Sequence, residues 1–279
     1  MSYQAQVPAR AETLVLRGVP HRVLRWGRPS DDPVLLLHGF LDCADSFQFL
    51  VDALPRDWSF VAPDWRGFGG SGWNDAPYWF PDYLGDLEAL LDALAPPRPP
   101  RMIGHSMGGY ICLALADRNP ALLSAIGLFH STALADNEPK KENRRKAIEF
   151  IREHGSEAFL KTSTPGLFSN KEMHQQAIED LIRKGRNFRP ETLVQYYEMM
   201  IGRPDRTKVL RTWEKPLLMI CGMQDQAVPY AQGLQQSYLA DQSYFFTLRQ
   251  TAHMGMLEET TRSAAILRFF LQAGTNINV

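Results

Sequence analysis

Cysteine is scarce in this chain. Cys43, Cys112 and Cys221 lie far apart and are odd in number, which excludes a disulfide framework and a cysteine zinc site and leaves three core thiols. An excess of charge of one sign is missing too: Lys plus Arg is 30 against Asp plus Glu 31, a formal net charge of −1. No nucleic-acid or membrane partner that works through bulk charge is therefore expected. No apolar run approaches the roughly 20 residues of a spanning helix. The opening stretch MSYQAQVPARAETLVL lacks the basic-then-apolar order of a signal peptide, so a cytoplasmic protein is expected. A dinucleotide fingerprint, a P-loop, a metal-ligand cluster and internal repeats are also absent, and neither cofactor nor metal is expected. Lysine itself is missing up to Pro139, where ten arginines stand, and all eight lysines come later. That asymmetry fits a second part with a more mixed surface, or a chain recombined from two relatives with a seam between about Gly109 and Lys140.

What is present is enough to bury a sizeable core: 279 residues, 44% of them hydrophobic and 22% charged. TLVLRG (13–18) and HRVLRWG (21–27) read as an antiparallel pair. PVLLLHG (33–39), SFVAPDW (59–65), RMIGHS (101–106), LLSAIGLFH (122–130), PLLMICG (216–222) and YFFTLR (244–249) are near-continuous apolar runs, as strands covered on both faces require. Helical patterns such as PDYLGDLEALLDAL (81–94) alternate with them, which predicts an α/β fold with a mostly parallel, eight-stranded sheet. Residues 131–212 are too long for a simple crossover and carry several helices, at 140–155, 171–185 and 190–202. The expected division is a core of 1–130 and 213–279 with a helical cap, 131–212, inserted after the sixth strand.

The stretch GHSMGGY (104–110) places Ser106 between glycines where a strand should give way to a helix, a turn too sharp for bulky neighbours. A serine hydroxyl is a weak nucleophile and needs a base, and the base needs a carboxylate. His253, in the loop between the last strand and the last helix, is the best base; Asp225, just past PLLMICG, is the best acid. Asp136, past LLSAIGLFHS, is the rival acid but would have to fold back. His130 either lines the pocket or packs in the core; His21, His154 and His174 have no carboxylate or motif context and read as surface or packing residues. Asp64 and Arg66 in DWRGFGGS should brace a loop by ion pairing and backbone hydrogen bonds.

Taken in order, LLLHGF (35–40), DWRGFGGS (64–71), GHSMGG (104–109), GMQDQAVP (222–229) and AHMGMLE (252–258) resemble the α/β-hydrolase superfamily, in its capped esterase, lactonase, carbon–carbon-bond hydrolase and cofactor-free haloperoxidase branch. The resemblance implies that the amides of Phe40 and Met107 hold an oxyanion. His38 and Gly39 then order that loop, and His105 takes the variable position beside the serine. It implies hydrolysis of a small acyl compound with water as second substrate and no cofactor. Ser106 at the nucleophile position, in place of Asp, argues against dehalogenase and epoxide hydrolase chemistry. Small to medium, mainly apolar esters are expected, without attraction to charged substrates. Perhydrolase or haloperoxidase, dioxygenase and carbon–carbon-bond hydrolase activities are alternatives, and a ligand-binding pseudoenzyme is another.

Overall fold

The computed structural model describes residues 9–28, 30, 32–74 and 78–273; the leading MSYQAQVP lies outside the described residues. Eight strands form one sheet: β1 (Arg10–Leu16), β2 (Val19–Trp26), β3 (Val34–Leu37), β4 (Phe60–Pro63), β5 (Arg101–His105), β6 (Ala125–Phe129), β7 (Leu217–Gly222) and β8 (Ser243–Leu248), in the order β1-β2-β4-β3-β5-β6-β7-β8. β1–β2 and β2–β4 pair antiparallel, and the other neighbours are parallel. The apolar runs are continuous because β3, β4, β6 and β7 are buried along their whole length. Their period-two pleat sends Leu35 and Leu37 into one core cluster and Val34 and Leu36 into the other, on opposite faces of the sheet.

The helices are α1 (Gln48–Asp52), α2 (Phe80–Leu94), α3 (Met107–Arg118), α4 (Glu138–Ser163), α5 (Gln175–Gly185), α6 (Pro190–Gly202), α7 (Thr207–Thr212), α8 (Tyr230–Gln236), α9 (Gly255–Glu258) and α10 (Thr260–Ala273). α3 is apolar nearly all round, and Met107 to Ala116 are all buried. α4 to α7 fill the interval between β6 and β7. They have no core of their own: Ile151, Leu160, Leu193, Met199 and Leu210 join the cluster that contains Leu35 and Met102. α4 is two helical pieces joined at Gly155, whose φ of 79° and ψ of 175° break the helical path. Among the described residues no helix is long and apolar enough to cross a membrane. Cys43, Cys112 and Cys221 are buried and free.

Candidate active site

Ser106 is the single residue between the end of β5 and the start of α3. Its φ of 50° and ψ of −116° are strained for a residue with a side chain. The turn is pinned from three sides. The Ser106 amide donates to Phe129 O (2.9 Å), and its carbonyl accepts from the Gly109 amide (3.0 Å) and the Ser131 hydroxyl (2.7 Å). Small neighbours are needed because backbones touch here: a Cβ on Gly104 would lie 2.4 Å from Gly109 N, and one on Gly108 would lie 2.2 Å from Leu37 O.

The parallel order β5-β6-β7-β8 brings the loops after β5, β7 and β8 to one edge, the carboxyl edge of the sheet. There Ser106 Oγ lies 2.8 Å from His253 Nε2, and His253 Nδ1 lies 2.8 Å from Asp225 Oδ2. The ionised carboxylate only accepts, so Nδ1 carries the ring proton and Nε2 is left to accept from the serine hydroxyl. Asp225 Oδ1 accepts from the amides of Ala227 and Val228, each 2.8 Å away. Burial by itself raises the Asp225 carboxyl, but the adjacent His253 and His130 imidazoles hold it well below the usual carboxylate range.

Met107 is the first residue of α3, so its amide has no intrahelical acceptor, and neither it nor the Phe40 amide donates a hydrogen bond among the described residues. His38 is buried; its Nδ1 donates to Gly39 O (2.8 Å) and its Nε2 accepts from the Trp65 amide (2.9 Å), tying the Phe40 loop to the segment after β4. His105 Nε2 donates to the carbonyl of His253 itself (2.9 Å), and burial holds its pKa well below the ordinary value.

Three further groups at this edge support the site; sequence reasoning left the role of His130 open and did not single out Ser131 or Glu258. His130, fully buried at a φ of 49°, directs Nδ1 at Asp225 Oδ2 from 3.3 Å, a long electrostatic contact on the oxygen that His253 uses. The sequence left it between pocket and packing, and its contact is with the acid. Ser131 clamps the Ser106 carbonyl, and nothing in its local sequence marks it. Glu258 brackets His253, accepting from the amides of Ala252 (3.0 Å) and Met254 (3.1 Å). Its place in AHMGMLE was the available signal. The carboxylate and imidazole atoms of His130, Asp225 and His253 lie within 4.8 Å of one another. His253 and Asp225 are already joined by a hydrogen bond, however, so a metal at about 2 Å from each ligand would have to displace the proton on His253 Nδ1.

Two readings need correction. His21 and His154 do have a carboxylate: His21 is buried, with Nε2 3.6 Å from Asp86 Oδ2, and His154, exposed as a surface residue should be, has Nε2 3.8 Å from Glu153 Oε2. Asp64 and Arg66 do not pair with each other. Asp64 receives Arg22 Nε at 2.5 Å and the amides of Ala44 and Gly70 at 2.8 Å each, while Arg66 pairs with Asp86 inside the core. Asp136 is turned away from His253 and is held by Arg144 Nε (2.6 Å) and Arg203 Nη1 (2.8 Å).

Ser106 and His253 open into a cavity of about 150 Å³. Phe40, Leu167, Met200, Val228 and Met254 give it apolar walls, and Lys140 and Arg144 of α4 also line it. Of the apolar residues in the 131–212 interval, Leu167, Tyr197 and Met200 reach this cavity, whereas Phe159, Leu160, Phe168, Tyr196 and Met199 are buried in the two core clusters.

Fold and site together define a class: an α/β sheet with a serine turn at its carboxyl edge, met there by a histidine and an aspartate. The family model described as "alpha/beta hydrolase fold" matches residues 32–147. A protein of Bacillus subtilis (strain 168), designated a candidate 2-succinyl-6-hydroxy-2,4-cyclohexadiene-1-carboxylate synthase, is 30% identical over 223 residues, 75% of this chain and 79% of that protein. The chain belongs to the alpha/beta hydrolase family. Among its relatives, the serine hydrolase-like protein of Danio rerio is 35% identical over 127 residues, 44% of this chain. The matched part is 39% of that relative's length, well short of two thirds. An esterase from Thermogutta terrifontis, solved with malate bound, superposes with a TM-score of 0.86 at 25% identity, over 95% of this chain and 99% of that one. The enol-lactonase of Burkholderia xenovorans LB400 shares the fold, with a TM-score of 0.86 at 20% identity over 94% of this chain and 100% of that one.

Proposed function

We propose that this chain is a serine hydrolase that cleaves carboxylic esters or lactones with small to medium acyl groups through an acyl-enzyme on Ser106. The observation that carries the reading is the unbroken chain Ser106 Oγ to His253 Nε2 to Asp225, with both links at 2.8 Å, opening into a cavity. Ser106 Oγ attacks the acyl carbonyl while its proton passes to His253 Nε2, and Asp225 stabilises the imidazolium that forms. The oxyanion is received by the amides of Phe40 and Met107, each worth roughly 100- to 1000-fold in rate. His253 then gives the proton to the leaving alcohol, which departs. In the second half, water loses a proton to His253 as it attacks the acyl carbonyl, and the collapsing intermediate returns that proton to Ser106.

In this reading the helices between β6 and β7 act as a cap, with Leu167, Tyr197 and Met200 closing the site to bulk water. The cavity volume of about 150 Å³ is small beside the ~300–1,000 Å³ of drug-sized sites, which favours short acyl groups. The test is turnover of p-nitrophenyl esters of increasing acyl length, together with labelling of Ser106 by a fluorophosphonate. Rates should peak at short to medium chains, and both signals should vanish in Ser106→Ala. Rates that keep rising to long acyl chains, or a Ser106→Ala protein that keeps its activity, would overturn the proposal.

A further inference from the structure

The near-zero net charge of the chain argued for an uncharged substrate, yet the walls of the cavity do not follow the average. Four groups form one electrostatic cluster beside it: Lys140, Arg144, Arg203 and Asp136. Arg203 is buried and spent. Its Nη1 binds Asp136 Oδ1 (2.8 Å) and Met200 O (3.2 Å), its Nη2 binds Leu134 O (2.6 Å), and its guanidinium stacks 3.9 Å over the Tyr110 ring. Among these four groups one arginine therefore balances the one carboxylate, and Asp205, which also interacts with Arg203, lines neither cavity. Arg144 and Lys140 remain as two surplus positive charges.

Their donors are also only partly used. The Arg144 Nε–H goes to Asp136 Oδ2 (2.6 Å) and Nη1 meets only the weak thioether acceptor Met200 Sδ (3.3 Å), while Nη2 donates to no atom among the described residues. Lys140 Nζ donates to the Ala227 carbonyl (2.7 Å) and lies 3.6 Å from Asp136 Oδ1, leaving further ammonium protons. The acids elsewhere at the start of α4, Glu138 and Glu142, pair with Lys141 and Arg145 and do not offset this pair. Tyr110, on the same cavity wall, senses the surplus: burial by itself raises its phenol, yet Arg203, Lys140 and Arg144 bring it below its ordinary value.

Position makes the charge useful. A second cavity, of about 410 Å³ and bordered by Asn137, Asn143, Gln226 and Gln232, lies next to the first. Lys140, Arg144, Tyr197 and Ala227 line both. The two cations thus stand where the two cavities adjoin, a neck between the outer one and the chamber that holds Ser106, and the Lys140–Ala227 bond ties α4 to the loop that carries Asp225.

We infer that Lys140 and Arg144 form an anion subsite at this neck, and that the substrate is an acyl compound carrying a second carboxylate at the far end of its acyl chain. The inference rests on the acyl-enzyme reading for the position of the scissile bond. A carboxylate at the neck takes the free Arg144 and Lys140 donors in charge-assisted hydrogen bonds, with its ester carbonyl directed inward to Ser106 and its chain along Met200 and Leu167.

The test compares esters matched in chain length: p-nitrophenyl hexanoate against mono-p-nitrophenyl adipate, and the eight-carbon pair octanoate and suberate. At one of the two lengths kcat/KM for the charged ester should exceed that for the neutral one by about tenfold or more, as charge-assisted hydrogen bonds allow. The ratio should shrink in 0.5 M salt. Lys140→Gln and Arg144→Met should each bring the ratio down about tenfold, Arg144→Lys should restore part of it, and Lys171→Gln, at an exposed lysine that lines neither cavity, should leave it alone. A ratio at or below one at both lengths, or an equal loss on charged and neutral esters in both neck variants, overturns the inference. Calorimetric binding of free adipate and suberate to Ser106→Ala keeps the two readings apart. Binding that weakens tenfold in the Lys140→Gln background supports the subsite even if no ester is turned over, and absence of binding removes it even if Ser106 proves to be the nucleophile.

Discussion

At the scale of single residues the decisive feature is that one oxygen, Asp225 Oδ2, serves two imidazoles, His253 at 2.8 Å and His130 at 3.3 Å. In the proposed mechanism an acid in that position fixes the tautomer of His253 and offsets the imidazolium in the transition state. Asp225→Asn should therefore keep the fold and lower turnover by about 10⁴, the loss seen for the equivalent change in a serine protease. Asp136→Asn should behave in the opposite way. Asp136 neutralises Arg203 in the interior, so its loss strips a buried guanidinium of its partner and costs about 3 kcal/mol in stability, with the His253 geometry intact. Activity per folded molecule and the urea midpoint, measured on both variants, separate the two roles. A dead Asp136→Asn beside an active Asp225→Asn would reverse the assignment.

At the scale of elements, two helical glycines do opposite jobs. Gly108 sits in the first turn of α3 with ordinary helical geometry, and alanine would suit that backbone by about 1 kcal/mol. Space forbids it, because a Cβ would lie 2.2 Å from the carbonyl oxygen of Leu37 in β3. Gly155 is the reverse: nothing lies within 4 Å of its would-be Cβ, but its φ of 79° and ψ of 175° fall in a region that is essentially glycine's alone. Gly108→Ala should push α3 away from β3, destabilise the protein by several kcal/mol and shift the Ser106 turn. Gly155→Ala should cost about 1–3 kcal/mol and leave Ser106 undisturbed, while drawing the two pieces of α4 toward a single axis. Thermal unfolding and fluorophosphonate labelling rates of the two variants check this. Equal labelling losses would mean that the α4 bend also shapes the site.

At the scale of the whole molecule, burial sets the response to acid. His38, His105 and His130 are fully enclosed, and burial lowers the pKa of each. Their folded pKa values lie below the unfolded value near 6.5, so on acidification the unfolded chain binds protons first. The stability they confer is full above pH ~6.5 and falls as the pH drops toward the folded values, by up to about 1.4 kcal/mol per pH unit for each histidine. Asp42, whose carboxyl burial raises, works with the opposite sign, from the unfolded carboxylate value near 4 up to its own raised folded value. Urea unfolding at pH 7.5, 6.5 and 5.5 should show little change over the first step and a clear fall over the second, and a flat profile from pH 6.5 to 5.5 would mean that these imidazoles take up protons without loss of the fold.

The order of the eight strands along the chain, the α/β alternation and the serine turn were legible in the sequence, because each depends on neighbours a few residues apart. A doubly covered strand is a continuous apolar run, and a turn whose backbones touch excludes side chains at Gly104 and Gly108. The candidates Ser106, Asp225 and His253 could be ranked for the same reason: each falls just beyond a predicted strand, and parallel strands deliver such residues to one edge. Tertiary structure alone decided the rest. That Asp136 turns to Arg203 while Asp225 meets His253 depends on side-chain direction past the ends of β6 and β7. That His130 joins the acid depends on a left-handed backbone at one position. And a chain with a net charge of −1 places Lys140 and Arg144 in the wall of the cavity that holds its serine because charge is summed over the sequence but felt over a few ångströms, where only packing sets which groups are neighbours.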